Sequence, residues 1–233
     1  MAKNIDQKPI DSSQDSNLDN TTRTATSPYM VHAIQELPGQ YLKVLTRPSV
    51  HTFVEEKDKA RWGIVWIQLV SLAIIDAAIQ TVALLISPHN INSLTGANNM
   101  SPAMLQAISI ITSVLLQLVL TPLSFLAAGG ILYLIARLLG GTGTFLEQIY
   151  TTLLFGVPLV ILSYLLLLIR ATSNWLPYLP HIYSLVLFVL SLIAVHQLSR
   201  GKAIAVIVIP ICLLLLLAFV GTILVANFVH RQY

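Results

Sequence analysis

The chain has 233 residues, 55% of them hydrophobic and only 10% charged, with a mean hydropathy of +0.77; an ordinary soluble domain carries roughly 25% charged residues. That balance excludes a soluble globular protein and places most of the chain in lipid. The formal net charge of +3 and pI near 9.1 do not indicate nucleic acid, because no run of five or more basic residues occurs and the charges lie on both sides of apolar blocks.

Charge is concentrated at one end: eight Lys/Arg and eight Asp/Glu fall at or before Arg61, leaving five basic and two acidic residues beyond it. Residues 1–28 are rich in Asp, Asn, Ser and Thr and hold too little apolar surface to offset the entropy of ordering, so they are expected to form a disordered tail. With no apolar h-region there, a cleaved secretory signal is not expected and the first span should direct insertion. From Tyr29 to Arg61 apolar residues return with a loose helical spacing, broken at "LPG" and again at Pro48. This reads as a cytoplasmic juxtamembrane segment, either short amphipathic helices along the membrane surface or a partly ordered linker.

Five apolar blocks follow: 62–87, 103–139, 148–169, 176–198 and 203–229. About 20 residues cross a hydrocarbon core of roughly 30 Å. The second block, at about 1.5 Å per residue, would run on the order of 55 Å, and it is either one kinked span or two joined ones. Charge decides, since short loops rich in Lys and Arg stay cytoplasmic. With five spans and the N-terminus inside, Lys57, Lys59, Arg61, Arg137, Arg200 and Lys202 all face the cytoplasm, and only Arg170 and Arg231 fall outside. The expected fold is therefore an all-α, polytopic membrane helix bundle with five transmembrane helices, Pro122 kinking the second, a cytoplasmic N-terminus and the C-terminus outside.

Within the first span Asp76 lies near the middle, where an acid costs about 2.5 to 3.5 kcal/mol unless protonated, paired or hydrated. Gln80 lies one turn on, and Gln117 and Thr121 share a face of the second span, so the four define a candidate intramembrane polar seam. The stretch "ARLLGGTGTFLEQ", 136–148, carries Gly140, Gly141 and Gly143 without the lysine that a phosphate-binding P-loop requires. The glycines should end one helix, and "TFLE" should restart the next as a capping box, with Thr144 as N-cap and Glu147 completing it. Pro158, after Gly156, interrupts the third span as a fixed kink or a hinge.

Nothing converges on catalysis. His181 and His196 lie near opposite membrane faces, His89 and His230 near the outer one, and no HxxxH or HExxH spacing occurs. Ser109, Ser124, Ser163 and Ser184 lack a GxSxG setting. The single cysteine, Cys212, stands in a leucine run and cannot form a disulfide within one chain. Trp175, Tyr178 and Tyr183 flank the fourth span as an interfacial aromatic belt would. No catalytic residue, cofactor or metal is expected.

Two segments together, "LTRPSVHTFVEEKDKARWGIVW" and "ARLLGGTGTFLEQIYTTLLFGVPLVIL", resemble the Yip domain family, membrane proteins of the Ypt/Rab-interacting, Yip-one type. The resemblance covers about Val44 to Phe228 and rests on Pro48, Phe53, Trp62, Gly140, Gly141, Gly143, Phe145 and Pro158. It implies a five-span domain with a cytoplasmic N-terminus and no catalytic residue. The cytoplasmic motifs of the eukaryotic Golgi members are missing, so the chain is more similar to the prokaryotic branch, and binding of a GTPase follows from family analogy alone. The resulting expectation is a non-enzymatic membrane scaffold or organiser that meets membrane lipids and protein partners, or a second copy of itself, around Gly140, Gly141, Gly143, Phe145, Glu147 and Pro158. Its expected membrane is the plasma membrane of a prokaryote, with a Golgi or ER membrane as the alternative. The alternative function is a transporter or permease component using the seam around Asp76.

Overall fold

The computed structural model describes residues 28–86, 101–168 and 175–230. The expected disordered tail, the loop after the first span, His89, Arg170 and Arg231 lie outside the described residues, as does the side chain of His230. The described residues are helical in seven α-helices and one short 3-10 turn: α1 Pro28–Thr46, α2 Val50–Lys57, α3 Trp62–Ile86, α4 Pro102–Leu138, α5 Phe145–Leu168, the turn Leu176–Tyr178, α6 Leu179–His196 and α7 Arg200–His230.

Five of these elements are long and apolar enough to cross a membrane: Trp62–Val82, Ala103–Leu138, Phe145–Leu167, Leu176–His196 and Arg200–Ile223. The second block is thus one helix, with Pro122 buried inside it. Ser101 caps it, its hydroxyl accepting from the Met104 amide, and Pro102 occupies the first turn, where its missing N–H leaves no bond unmade. Prolines lie inside three spans, Pro122 in α4, Pro158 in α5 and Pro210 in α7.

The core is built around α5. Ile149, Tyr150, Leu153, Leu154, Phe155, Val157 and Leu159 pack with Ile64, Val65, Leu69 and Leu72 of α3, and with Leu187 and Ala194 of α6. A second cluster joins Ala136 of α4, Leu192 of α6, Leu198, and Ala203 and Val206 of α7. Most of α4 and α7 faces outward, as spans solvated by lipid do, since apolar side chains gain nothing by leaving hydrocarbon for a protein interior of equal polarity.

The juxtamembrane segment is a helical hairpin. The expected break at "LPG" is absent, and Pro38 and Gly39 lie within α1. Contacts on either side of the proline, from buried Leu37 and from Gln40 and Val44, hold the helix where its own backbone bonding is weakened. Val44 and Phe53 are wholly buried, and Phe53 meets Phe155 edge-on at 6.0 Å. Three hydroxyls tie the hairpin to the spans: Tyr150 donates to Gln40 Oε1 (2.8 Å), Tyr41 to Gln68 Oε1 (3.2 Å) and Tyr183 to the Leu45 carbonyl (2.8 Å). Tyr183 lies 13 residues, about 20 Å, from the His196 end of α6. The hairpin therefore stands along the wall of α5 and α6, because its buried Val44 and Phe53 take their partners from the protein.

Its charges neutralise one another. Lys43 bonds Glu55 (2.6 Å) and the buried Glu56 (2.7 Å), and Lys59 bonds Glu56 (2.8 Å). A buried carboxylate needs such partners to offset lost hydration. The two glutamates hold the Lys43 ammonium above its usual range, and Lys43 holds the Glu55 carboxyl below its own. Burial pushes the Tyr41 hydroxyl up to about 12, so it stays a donor at all ordinary pH.

Candidate functional site

The elbow between α4 and α5 is built from backbone hydrogen bonds. After Leu139 the chain turns through Gly140 at φ +91°, a conformation that costs an L side chain roughly 1–2 kcal/mol. The Gly140 amide returns to the Arg137 carbonyl (3.0 Å) and the Gly141 amide to the Ala136 carbonyl (2.9 Å), the two bonds of a Schellman ending. The next helix begins with the expected capping box: the Thr144 amide donates to Glu147 Oε2 (2.8 Å), and the Glu147 amide to Thr144 Oγ1 (3.3 Å).

This elbow is locked against the end of α6, which the sequence does not reveal. The Thr142 amide donates to the His196 carbonyl (3.1 Å), and the Arg137 guanidinium closes over the Gly141 carbonyl (3.0 Å). Gly141 and Gly143 are buried, and each is small because a neighbour occupies the space of a side chain. A Cβ on Gly141 would lie 2.8 Å from the Ala136 oxygen and 2.9 Å from the His196 ring, and one on Gly143 would collide with the Val195 carbonyl. Lys202 of α7 reaches back to the Leu139 carbonyl (2.9 Å), so the α6–α7 turn, where Gln197 adopts φ 55°, closes the other side. The Gly140 and Gly141 amides are thus spent inside the fold, and what faces outward is Leu138, Gly140, Thr142, Thr144 and the basic residues Arg137, Arg200 and Lys202.

A buried polar chain backs the elbow. Gln148 donates its amide to the Gly129 carbonyl of α4 (3.1 Å), which leaves Oε1 to accept from His196 Nε2–H (2.7 Å). Thr151 and Ser191 share a hydrogen bond of 2.8 Å one turn deeper. Phe145 packs between Trp62 and Tyr133, at 6.1 and 5.6 Å between ring centres, and Tyr133 also meets the His196 ring at 5.8 Å. Gly140, Gly141, Gly143, Phe145 and Glu147 are therefore one unit. Pro158 is not part of it, lying 13 residues, about 20 Å, further along α5. Sequence reading misses Gln148 and His196; the available signal is a long polar side chain just inside each of two apolar spans.

The intramembrane seam is shorter than expected and involves a third helix. Asp76 is buried and accepts from Thr121 Oγ1 of α4 (3.3 Å) and from the Tyr164 hydroxyl of α5 (3.0 Å). Gln80 is exposed and Gln117 half-buried, and among the described residues neither bonds to Asp76. Tyr164 escapes a reading confined to the first two spans, since an aromatic residue in a leucine run looks like core. No group of three or more His, Cys, Asp or Glu side chains placed to hold a metal ion occurs among the described residues.

A family model, the Yip1 domain, matches residues 42–222. The chain belongs to the Yip1 domain family. No curated protein matches it, and no solved structure matches it. The matched region of this Yip1 domain protein begins near the end of α1, so the last turn of α1 and all of α2 belong to the domain together with the five spans. Of the residues that carry the sequence resemblance, Phe53, Trp62, Gly141, Gly143 and Phe145 are packing contacts, Gly140 is a backbone requirement, and Pro48 lies in the turn between α1 and α2.

Proposed function

We propose that this Yip1 domain protein is a non-enzymatic membrane scaffold that meets protein partners on its elbow side, and that this side faces the cytoplasm. The observation that carries the reading is the fixed outward face: two turns locked to each other present Leu138, 85% exposed, beside Thr142 and three basic side chains. A surface that costs little ordering entropy is suited to holding partners. The basic residues of this face also match the bias of cytoplasmic loops, and the plasma membrane of a prokaryote is the setting we favour. Contact with a second copy of the chain is compatible with the same face.

The test is a crosslinking pull-down from native membranes with the exposed pair changed, Leu138→Glu with Thr142→Lys, since a substitution at buried Gly141 would disturb the fold itself. Loss of specific partners with the bundle intact is expected. Recovery of the same partners as wild type refutes the proposal. A second reading, a transport component, draws on the convergence of α3, α4 and α5 at Asp76. It requires that Asp76→Asn abolish a flux in liposomes. The two hydroxyls already donated to that carboxylate favour its role as a tie between spans.

A further inference from the structure

Four spans line a cavity of about 460 Å³ that opens on the outer face of the bundle, with Ile131 and Leu132 of α4, Phe155 and Gly156 of α5, Phe188 of α6, and Pro210 of α7 in its wall. Its wall is nearly all hydrocarbon: Ser163 and His181 stand 3.4 Å apart at one end with Ser184 close by, and Thr152, 11 residues back along α5, donates its hydroxyl to the Gln148 carbonyl (2.7 Å). The hydroxyls of Ser163 and Ser184 are bonded to their own helix backbones, at the Leu159 carbonyl (2.9 Å) and the His181 carbonyl (2.7 Å). The volume falls in the range of about 300–1,000 Å³ typical of small-molecule sites.

We propose that this cavity holds one acyl chain of a membrane phospholipid, with the ester end of the lipid toward Ser163 and His181. Water is a poor occupant, since it needs two to four polar partners and the body of the cavity offers only the Thr152 hydroxyl, whose proton is already donated to its own helix. A helix of a second copy is too thick: at a diameter of about 10 Å it would fill such a volume with roughly one turn. A flexible hydrocarbon tail with a polar end fits both the apolar body and the end formed by Ser163 and His181. Access comes from the side. α7 is held near its start by buried Ala203 and Val206, while beyond Pro210 its leucines, Leu213 to Leu217, are exposed to the surrounding lipid. Gly156 keeps the wall of α5 low, for a Cβ there would have nothing within 4 Å.

That open space makes a filling substitution possible without a backbone clash. The protein is purified from native membranes in mild detergent and weighed intact by native mass spectrometry, followed by lipid extraction. Wild type is expected to retain about one phospholipid per chain, Gly156→Phe to lose it while keeping its helical signal and melting transition, and Leu134→Phe, on an exposed face of α4, to keep it. Leu214→Trp narrows the cavity from α7 and is expected to lose the lipid as well, which protects the test against misfolding at Gly156. Absence of retained phospholipid in wild type, or equal retention in both filling variants, overturns the proposal. So does a dimer that Gly156→Phe converts to monomer, which would make a second copy the occupant.

Discussion

Gly140, Gly141 and Gly143 sit within four residues of one another and are glycine for two different reasons. Gly140 answers a backbone demand, the left-handed conformation after a helix end, whereas Gly141 and Gly143 answer a demand for space beside α6. Replacement by alanine separates these. Gly143→Ala drives a methyl into the Val195 carbonyl and should cost about 1–3 kcal/mol. Gly140→Ala should cost roughly 1–2 kcal/mol from strain. Gly130→Ala, in a helix with nothing within 4 Å, should be neutral or stabilising. Thermal unfolding in detergent reads the order; a Gly143→Ala protein that melts with wild type would show that the elbow does not press on α6. The glycine cluster was legible as a helix ending because a Schellman turn and a capping box are local patterns. The close approach to Val195 and His196 was not, because it joins residues more than 50 positions apart.

At the scale of the element, the hairpin α1–α2 shows what a charge pattern can and cannot reveal. Its mixture of Lys and Glu reads as a wet surface segment, yet Lys43, Glu55, Glu56 and Lys59 cancel in pairs, and Val44 and Phe53 turn inward. Pairing at long range is invisible to a linear count of charges, and a proline in "LPG" masks a helix that tertiary contacts hold together. The hairpin's attachment should depend on pH at both extremes. Glu55 titrates below its ordinary 4.5, so its contribution is present above that value and lost as pH falls through the lowered one. Lys43 titrates above its ordinary 10.5, so its contribution is present below that value and lost as pH rises through the raised one. The effect is small, since both side chains are more than a third exposed. Spin labels at the exposed positions Leu42 and Val54 should report a distance distribution that broadens as pH falls below 4.5, and Lys43→Met should remove the change. A distribution independent of pH in the unsubstituted hairpin would contradict the pairing as its clasp.

For the whole molecule, the apolar blocks fix the count of spans: only helices of that length satisfy their backbone in lipid, so five blocks become five helices even where one runs to 37 residues. Which faces meet is decided by scattered polar residues. Asp76 and Thr121 were legible as a pair on two spans; Tyr164 was not, because one span of separation and a leucine-rich setting hide it. The same limit applied to His196 and Gln148, which bind the elbow-side ends of α5 and α6 through a single bond of 2.7 Å. The consequence is a bundle with two unlike ends, one closed by the locked elbow and the α6–α7 turn, the other carrying Trp175 and Tyr178, 62% and 65% exposed. The closed end is where partners are proposed to meet the protein. Site-specific photo-crosslinking in living cells tests this most directly, with the photoreactive residue placed at Thr142 on the elbow or at Tyr178 on the opposite end. Recurrent protein adducts from position 142 and none from position 178 are the predicted result; adducts from 178 alone, or equal sets from both, would contradict it.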